Sequence, residues 1–215
     1  MLIQLLLLIS ILIIIIAYFR IILIYFKTRK IEIDDINGFD IAKELTSNYD
    51  EINIVESNEL NISKYSLKRK IIRLTKKDYE ANNIFTLAKT SLLSGYSLIN
   101  LDKDKNISLL SKILPSLDYL NKTPILTLLI SIFAKNKGDA KIAIILLIII
   151  IIYQYLINEI NNNSKETTKE QLQKLFNKKD YNLLELVKNS FLALNKVAFI
   201  TSLILIIREI LIIIS

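Results

Sequence analysis

Long apolar runs alternate with polar stretches along the chain, and the first run begins near its start. Residues 2–19 are nearly all apolar and the run continues past Arg20 to residue 26, which is enough for a transmembrane helix of about 20 residues. A cleaved signal peptide is the alternative, but it requires a positive charge before a shorter apolar core, and here the basic residues 27–30 follow the core. The pattern predicts a retained N-terminal transmembrane helix over residues 1–26, with Arg20 reaching toward the membrane interface.

Residues 31–104 have the mixed pattern of a small α+β domain. Residues 38–47 alternate as an amphipathic helix, and strands are predicted at residues 52–55 and 70–74. The segment between the strands, residues 57–66, is predicted to be a loop or a hairpin connection.

A second helix of this domain is predicted over residues 83–99. Asn82 or Asn83 is expected to cap it, since asparagine side chains accept hydrogen bonds from the first turn of a helix. Ser91 and Gly95 are small residues on the same side as its apolar positions, which are Ile84, Leu87, Ala88, Leu92, Leu98 and Ile99.

The second half of the chain is predicted to be helical and largely membrane-embedded. An amphipathic helix and a transmembrane hairpin are expected over residues 107–157, with Pro115 interrupting the helix. Within the hairpin, residues 124–134 are only half a span and either extend backward or are re-entrant, whereas residues 142–157 form a span. A polar helical segment is predicted over residues 158–190 and a C-terminal transmembrane helix over residues 191–215. The fold class is therefore membrane α-helical, with three to four transmembrane helices and a small α+β domain.

Three charged side chains, Lys196, Arg208 and Glu209, lie within the last apolar run. Charges at bilayer depth mark either a functional site or a pairing. Because Arg208 and Glu209 are adjacent in sequence, we expect them to face different sides of the helix and not to pair. Placement of all three charges near the two membrane interfaces is favoured over an ion path.

The composition adds a basic excess to this picture. The 215 residues are 52% hydrophobic and 23% charged, with a mean hydropathy of +0.41, a formal charge of +7 and a pI of about 9.3. In a membrane protein such an excess usually flanks the spans and faces anionic lipid, so the lipid bilayer is an expected partner. No basic face with interleaved aromatic residues is present, so no nucleic-acid partner is expected. The lysines flanking the spans favour a multi-pass protein of the cell membrane with the polar domain in the cytoplasm.

The residue types that are missing exclude several kinds of chemistry. The chain has no histidine and no cysteine, so it offers no histidine base, no Ser-His or Cys-His nucleophile, no thiolate zinc site and no iron–sulfur cluster. Three glycines, Gly38, Gly95 and Gly138, are too few for a phosphate-binding loop or a dinucleotide fingerprint. No cofactor is therefore expected.

Several short segments resemble one bacterial family. They are residues 37–43 (NGFDIAK), residues 68–75 (KRKIIRLT), Asp78-Tyr79 followed by Asn82, and residues 187–206. In their order and spacing the chain resembles the YugP-like membrane-bound neutral zinc metallopeptidases. The resemblance implies an N-terminal span, a minimal zincin-like core with a metal-binding helix, a hydrophobic hairpin, a polar segment and a terminal span.

The metal-binding motif of that family is degenerate in this chain. The family carries His-Glu-x-x-His, in which two histidines one turn apart bind zinc and the glutamate is the general base. The resemblance places this motif over residues 92–96, where Leu92 and Tyr96 take the ligand positions, Leu93 takes the base position, and Gly95 fits the family's glycine. The resemblance implies an acidic third ligand just after the third span. Its position falls at Glu159 or at Ile157.

We therefore expect neither catalytic residues nor a metal site, and a binding or accessory role for an inactive, pseudoenzyme-like relative. Its expected partners are an active membrane peptidase relative or membrane protein substrates. One alternative is a structural membrane protein unrelated to peptidases. The other is a peptidase with an oxygen-ligated metal, which needs clustered carboxylates. Its candidates, which we interpret as ordinary solvated charges, are Asp34, Asp35, Asp102, Asp104 and Glu159.

Overall fold

The computed structural model describes residues 2–34, 36–57, 63–66, 69–101 and 117–215. Asp35, Asp102, Asp104 and the predicted amphipathic helix before Pro115 lie outside these residues. In chain order the elements are α1 (Leu2–Thr28), α2 (Gly38–Thr46), β1 (Asn53–Ser57), β2 (Lys64–Ser66), β3 (Ile71–Thr75), α3 (Lys76–Glu80), α4 (Ile84–Leu101), α5 (Leu117–Phe133), α6 (Lys137–Leu175) and α7 (Lys178–Ile214).

Three of the described helices, α1, α6 and α7, are long and apolar enough to cross a membrane. They correspond to the three full spans predicted from the apolar runs. The half span predicted at residues 124–134 lies in α5. The apolar stretch of this helix, Thr123–Phe133, is shorter than a full span. Helix α5 nevertheless continues backward to Leu117 through Pro124.

The polar segment of residues 158–190 does not form a helix of its own. Helix α6 extends without a break from Lys137 to Leu175, and α7 begins at Lys178, so only a short turn separates the two helices. A polar run can continue an apolar helix because straight-chain residues such as Lys, Glu and Gln are good helix formers.

Asparagine and threonine side chains cap the first turns of α2, α3 and α4. Asn37 accepts a hydrogen bond from the backbone N–H of Asp40, whose side chain accepts one from the backbone N–H of Asn37, and this reciprocal pair forms a capping box. Thr75 caps α3 and Asn83 caps α4. Of the two asparagines proposed for the start of α4, Asn83 is the one that caps it.

The chain divides into two compact units. The apolar unit comprises Met1–Ile21, Asp118–Asn158 and Phe191–Ser215, and the mixed unit comprises Ile22–Leu117 and Glu159–Ser190. The mixed unit contains all three described strands.

The sheet of the mixed unit has the order β1-β3-β2. Strand β1 pairs parallel to β3, and β2 pairs antiparallel to its other side, so Ile72 of β3 lies opposite both Ile54 and Tyr65. Strand β2 lies in the segment expected to be a loop or hairpin connection; its three residues are too few for a clear alternation of apolar and polar positions. The side chains of Ile72 and Leu74 are fully buried at the centre of the sheet.

The apolar unit contains a buried ion pair where none was expected. The Arg208 Nη1 lies 2.5 Å from the Glu209 Oε1, and both side chains meet Ser131 of α5. The expectation that adjacent residues cannot pair was wrong. The long, flexible Arg208 side chain bends around to Glu209, and the Ser131 hydroxyl also donates to the Glu209 carboxylate. Lys196 is exposed, as expected for a lysine that reaches an interface.

Candidate functional site

The residues at the degenerate motif lie in the interior of the mixed unit. Leu92 and Leu93 of α4 are 0% and 1% exposed, and Tyr96 is 6% exposed. Leu92 and Tyr96 are four residues apart, which places them one turn apart on one face of the helix. This is the spacing that a pair of zinc-binding histidines requires, but the face packs as core.

The first part of the polar segment of α6 covers this face of α4. The Tyr96 hydroxyl donates a hydrogen bond to the Oδ1 of Asn161, and the Ser164 hydroxyl donates one of 3.0 Å to the backbone oxygen of Leu92. Asn161 and Ser164 are both buried, and the Asn161 Nδ2 has no hydrogen-bond partner among the described residues. Two polar side chains of α6 thus contact Leu92 and Tyr96, the two positions of α4 at which zinc ligands were looked for.

Gly95 allows the two helices to approach closely. A Cβ added at Gly95 would collide with the Ser164 hydroxyl and would come within 2.5 Å of the Ser164 backbone oxygen. Only a residue without a side chain fits between α4 and α6 at this point. Gly95 is therefore required by helix packing, independently of any metal.

The two positions proposed for the third ligand differ in burial. Glu159 is exposed, whereas Ile157 is buried. The residue of α6 that bonds to Tyr96 is Asn161, two positions beyond Glu159. Asn161 and Ser164 were not singled out from the sequence. Their signal was the recurrence of small polar residues at 161, 164 and 168, a spacing that follows one helix face.

The donor atoms at this contact do not fit a catalytic zinc ion. Such an ion takes about three protein ligands from histidine, cysteine or carboxylate side chains and keeps one open position. Leu92 offers no donor atom, and the Tyr96 hydroxyl is already bonded to a neutral amide. The described residues contain no group of three acidic, histidine or cysteine side chains placed to hold a metal. The oxygen-ligated alternative therefore finds no support in the described part of the chain.

A second polar cluster joins α6 to α7 within the same unit. The Lys188 Nζ lies 3.0 Å from the Glu185 Oε1 and 3.3 Å from the Thr168 Oγ1, and the Lys165 Nζ lies 3.0 Å from the Glu185 Oε2. The Lys188 side chain is fully buried. A buried charge must be paired to be tolerated, and Glu185 provides the opposite charge for both lysines. We interpret this cluster as a clamp between the two helices.

A third cluster, centred on Asp78, lies at the start of α3. Its carboxylate accepts hydrogen bonds from the Lys89 Nζ at 2.6 Å and from the Ser63 hydroxyl. Burial raises the pKa of Asp78, but the Lys89 charge and hydrogen bonds from Lys89, Ser63 and Thr75 outweigh burial, so its pKa lies below the ordinary value. This ion pair attaches α4 to the segments around α3 one turn before Leu92.

Three helices able to cross a membrane, a small three-stranded sheet and a buried helix at the motif position define a membrane-associated, mostly helical protein with a small α+β unit. The sequence profile of the family described as "Putative neutral zinc metallopeptidase" matches residues 3–213, and the chain belongs to this family. No curated protein and no solved structure matches the chain. The family match confirms the family predicted from the short segments and argues against a structural protein unrelated to peptidases.

Proposed function

We propose that this chain is a metal-free relative of the zinc metallopeptidases that works by binding other membrane proteins rather than by hydrolysis. The observation that supports the proposal is the Tyr96–Asn161 hydrogen bond, because the resemblance implies that Tyr96 takes the position of a zinc-binding histidine. Leu92 and Leu93 supply neither a second ligand nor a general base. A buried core contact fills the motif position.

We further propose a multi-pass arrangement in the cell membrane, with α1, α6 and α7 as spans and the mixed unit in the cytoplasm. The support is the number of helices of sufficient length and the basic residues 27–30 that follow the apolar run of α1. The natural absence of cysteine allows a direct test of this topology. A single cysteine at the exposed Lys76 should react with a membrane-impermeant maleimide only after the cells are opened. Labelling in intact cells would contradict the cytoplasmic placement.

The proposed partner is an active membrane peptidase of the same family, or a membrane protein substrate of such an enzyme. The support is that the family match extends over residues 3–213 although the catalytic positions carry other residues. An intact architecture without the catalytic groups is what a binding subunit requires, since the same surfaces can contact a related chain.

Metal content and peptide hydrolysis test the inactive part of the proposal. The full-length protein, purified in detergent and loaded with excess zinc, should retain no zinc after gel filtration and should not cleave an unstructured protein substrate. Chelator treatment should leave its melting temperature unchanged. Zinc retained at about one ion per chain, together with chelator-sensitive cleavage, would refute the proposal.

Capture from native membranes tests the partner. The tagged chain is crosslinked in its membrane, purified and analysed by mass spectrometry. Recovery of a chain with an intact His-Glu-x-x-His motif in near-equal amount supports the accessory role. Recovery of lipids and abundant membrane proteins alone contradicts it.

A further inference from the structure

We infer that the cytoplasmic end of α1 carries a binding site for the headgroup of an anionic phospholipid, formed by Arg29 and Lys77 beside Tyr25. This inference rests on the proposed membrane placement of α1. It adds a specific ligand class and a specific site to the general expectation of a protein in a bilayer.

The guanidinium of Arg29 is held against two aromatic rings. Its central carbon lies 4.8 Å from the centroid of the Phe26 ring and 5.3 Å from that of the Tyr25 ring. The Tyr25 ring in turn packs edge-on against Phe85 of α4, with centroids 4.8 Å apart. Cation–π contacts of this kind orient a guanidinium and leave its N–H groups available to an anion.

Lys77 belongs to the same site although it is far away in sequence. Residues 31–33 pair with residues 82–84 through the hydrogen bonds Ile33 N–H to Asn82 O and Ile84 N–H to Ile31 O, each 3.0 Å long. This pairing brings the region of α3 to the end of α1. Lys77 lies one turn before this pairing, since its backbone oxygen accepts a hydrogen bond of 3.2 Å from the Ala81 N–H.

The positive charges at this site are not neutralised by the described part of the chain. Five exposed basic residues lie at the end of α1 and at the start of α3, and none of them has a carboxylate within ion-pair distance among the described residues. They are Lys27, Arg29, Lys30, Lys76 and Lys77, here called the basic collar. The collar therefore has free positive charge for an external anion.

The position of the collar favours a lipid over a soluble anion. Tyrosine and phenylalanine rings are typical of the level at which a span leaves the bilayer, and basic residues just beyond that level meet lipid phosphates. The half-exposed Phe26 offers an apolar surface to acyl chains beside the Arg29 guanidinium. Arginine forms two parallel hydrogen bonds to a phosphate, and Lys77 adds a point charge.

Native mass spectrometry of the detergent-purified full-length protein tests this site. The probes are phosphatidylglycerol and, as a neutral comparison, phosphatidylcholine. The wild type should bind phosphatidylglycerol more tightly, and the double variant R29Q/K77Q should lose roughly 25-fold in affinity, since each of the two basic residues near a charged lipid contributes roughly a factor of five. Binding of phosphatidylcholine should not change.

The matched control is K178Q/K179Q, which removes the same charge from two exposed lysines at the start of α7. It should bind phosphatidylglycerol within about twofold of the wild type. An equal loss in both double variants would overturn the inference, because net charge alone would then explain binding. Equal affinity of the wild type for the two lipids would also overturn it, as would complete competition by millimolar inorganic phosphate. Alkaline carbonate extraction tests the proposed spans separately from lipid binding. A protein with these spans should stay in the membrane fraction.

Discussion

The Tyr96 hydroxyl and the side-chain oxygen of Asn161 form a buried hydrogen bond that joins α4 to α6. In the register that the family resemblance implies, Tyr96 takes the position of the motif's second histidine, and the third-ligand positions Ile157 and Glu159 lie in α6. The two helices that carry these positions are joined by a direct contact between side chains. We expect this hydrogen bond to stabilise the fold, and the effect of removing it on the melting temperature can be measured.

Replacing Tyr96 by phenylalanine should destabilise the fold. The ring would still fill its space, but the Asn161 Oδ1 would lose its donor, and the Asn161 Nδ2 already has no acceptor among the described residues. An unsatisfied buried polar group costs about 1–3 kcal/mol, so the melting temperature of the purified protein should fall by several degrees. The control Tyr155→Phe changes a ring that is 67% exposed and should leave it unchanged. Equal melting temperatures for Tyr96→Phe and the wild type would contradict this role of the hydrogen bond.

Gly95→Ala should destabilise the fold more than the addition of one methyl group suggests. Alanine favours a helix interior by about 0.5–1 kcal/mol over glycine, but here the added methyl group meets both the hydroxyl and the backbone of Ser164. We expect a net loss of stability that Ser164→Ala does not rescue, because the backbone oxygen of Ser164 remains in place. Thermal unfolding of the single and double variants checks this expectation.

Gly138→Ala is the matched control for this test. The nearest atom to its added methyl group is the Asn136 Oδ1 at 3.2 Å, at the start of α6. Its melting temperature should stay close to that of the wild type. A rescue of Gly95→Ala by Ser164→Ala would show that only the Ser164 hydroxyl, and not the helix backbone, leaves no room for a methyl group at position 95.

The sequence alone predicted the elements whose signal is local. The long apolar runs predicted α1 and the apolar stretches of α6 and α7, and the prediction that Asn82 or Asn83 caps α4 placed the start of that helix. Strand β2 was missed because three residues carry too little alternation, and its pairing with β3 depends on a contact across the sheet. The loss of the zinc ligands was visible at residues 92 and 96. The contact of Asn161 with Tyr96 was not, since it depends on how α6 lies against α4.

Restoring the motif should create zinc binding if α4 and α6 keep the geometry of the family's site. The variant L92H/L93E/Y96H/N161D has two histidines one turn apart and a carboxylate at the position that contacts Tyr96. It should bind about one zinc ion per chain and melt at a higher temperature with zinc than with chelator. Without zinc it should be less stable than the wild type, because each new buried polar group costs about 1–3 kcal/mol.

The matched comparison is the triple variant L92H/L93E/Y96H, which keeps Asn161. It should bind zinc weakly and show little zinc-dependent stabilisation, since a neutral amide oxygen is a poor third ligand. Equal zinc affinity in the two variants would show that position 161 does not contribute a ligand. Zinc content by elemental analysis separates these outcomes independently of any peptidase activity.

Asp78 should make stability depend on pH in the acid range. Its pKa is lowered in the folded protein, so its ion pair with Lys89 stabilises the fold above the ordinary aspartate pKa of about 3.9. That contribution is lost as the pH falls through the lowered pKa. We therefore expect Asp78→Asn to be less stable than the wild type by about 1–3 kcal/mol at pH 7. The difference should shrink as the pH falls below about 4.

The exposed Asp50 supplies the control for this pH series, because Asp50→Asn should change stability little and by the same amount at each pH. Melting temperatures of the three proteins between pH 7 and pH 3 test the expectation. A difference between wild type and Asp78→Asn that is constant over this range would contradict the ionic origin of the Asp78 contribution.

The buried pair of Arg208 and Glu209 predicts a non-additive response to substitution. Glu209→Leu would leave the Arg208 guanidinium buried beside Ser131 without an opposite charge, and breaking a buried pair in this way costs about 3–5 kcal/mol. The double variant R208L/E209L removes both charges and should recover most of that loss, since apolar residues of similar size often replace a buried ion pair at little cost. The exposed Lys196 gives the control, because Lys196→Leu breaks no ion pair among the described residues and should change the melting temperature little. If the double variant is as unstable as Glu209→Leu, the pair provides more than mutual neutralisation. The Glu209 Oε2, which has no hydrogen-bond partner among the described residues, is then the atom to examine.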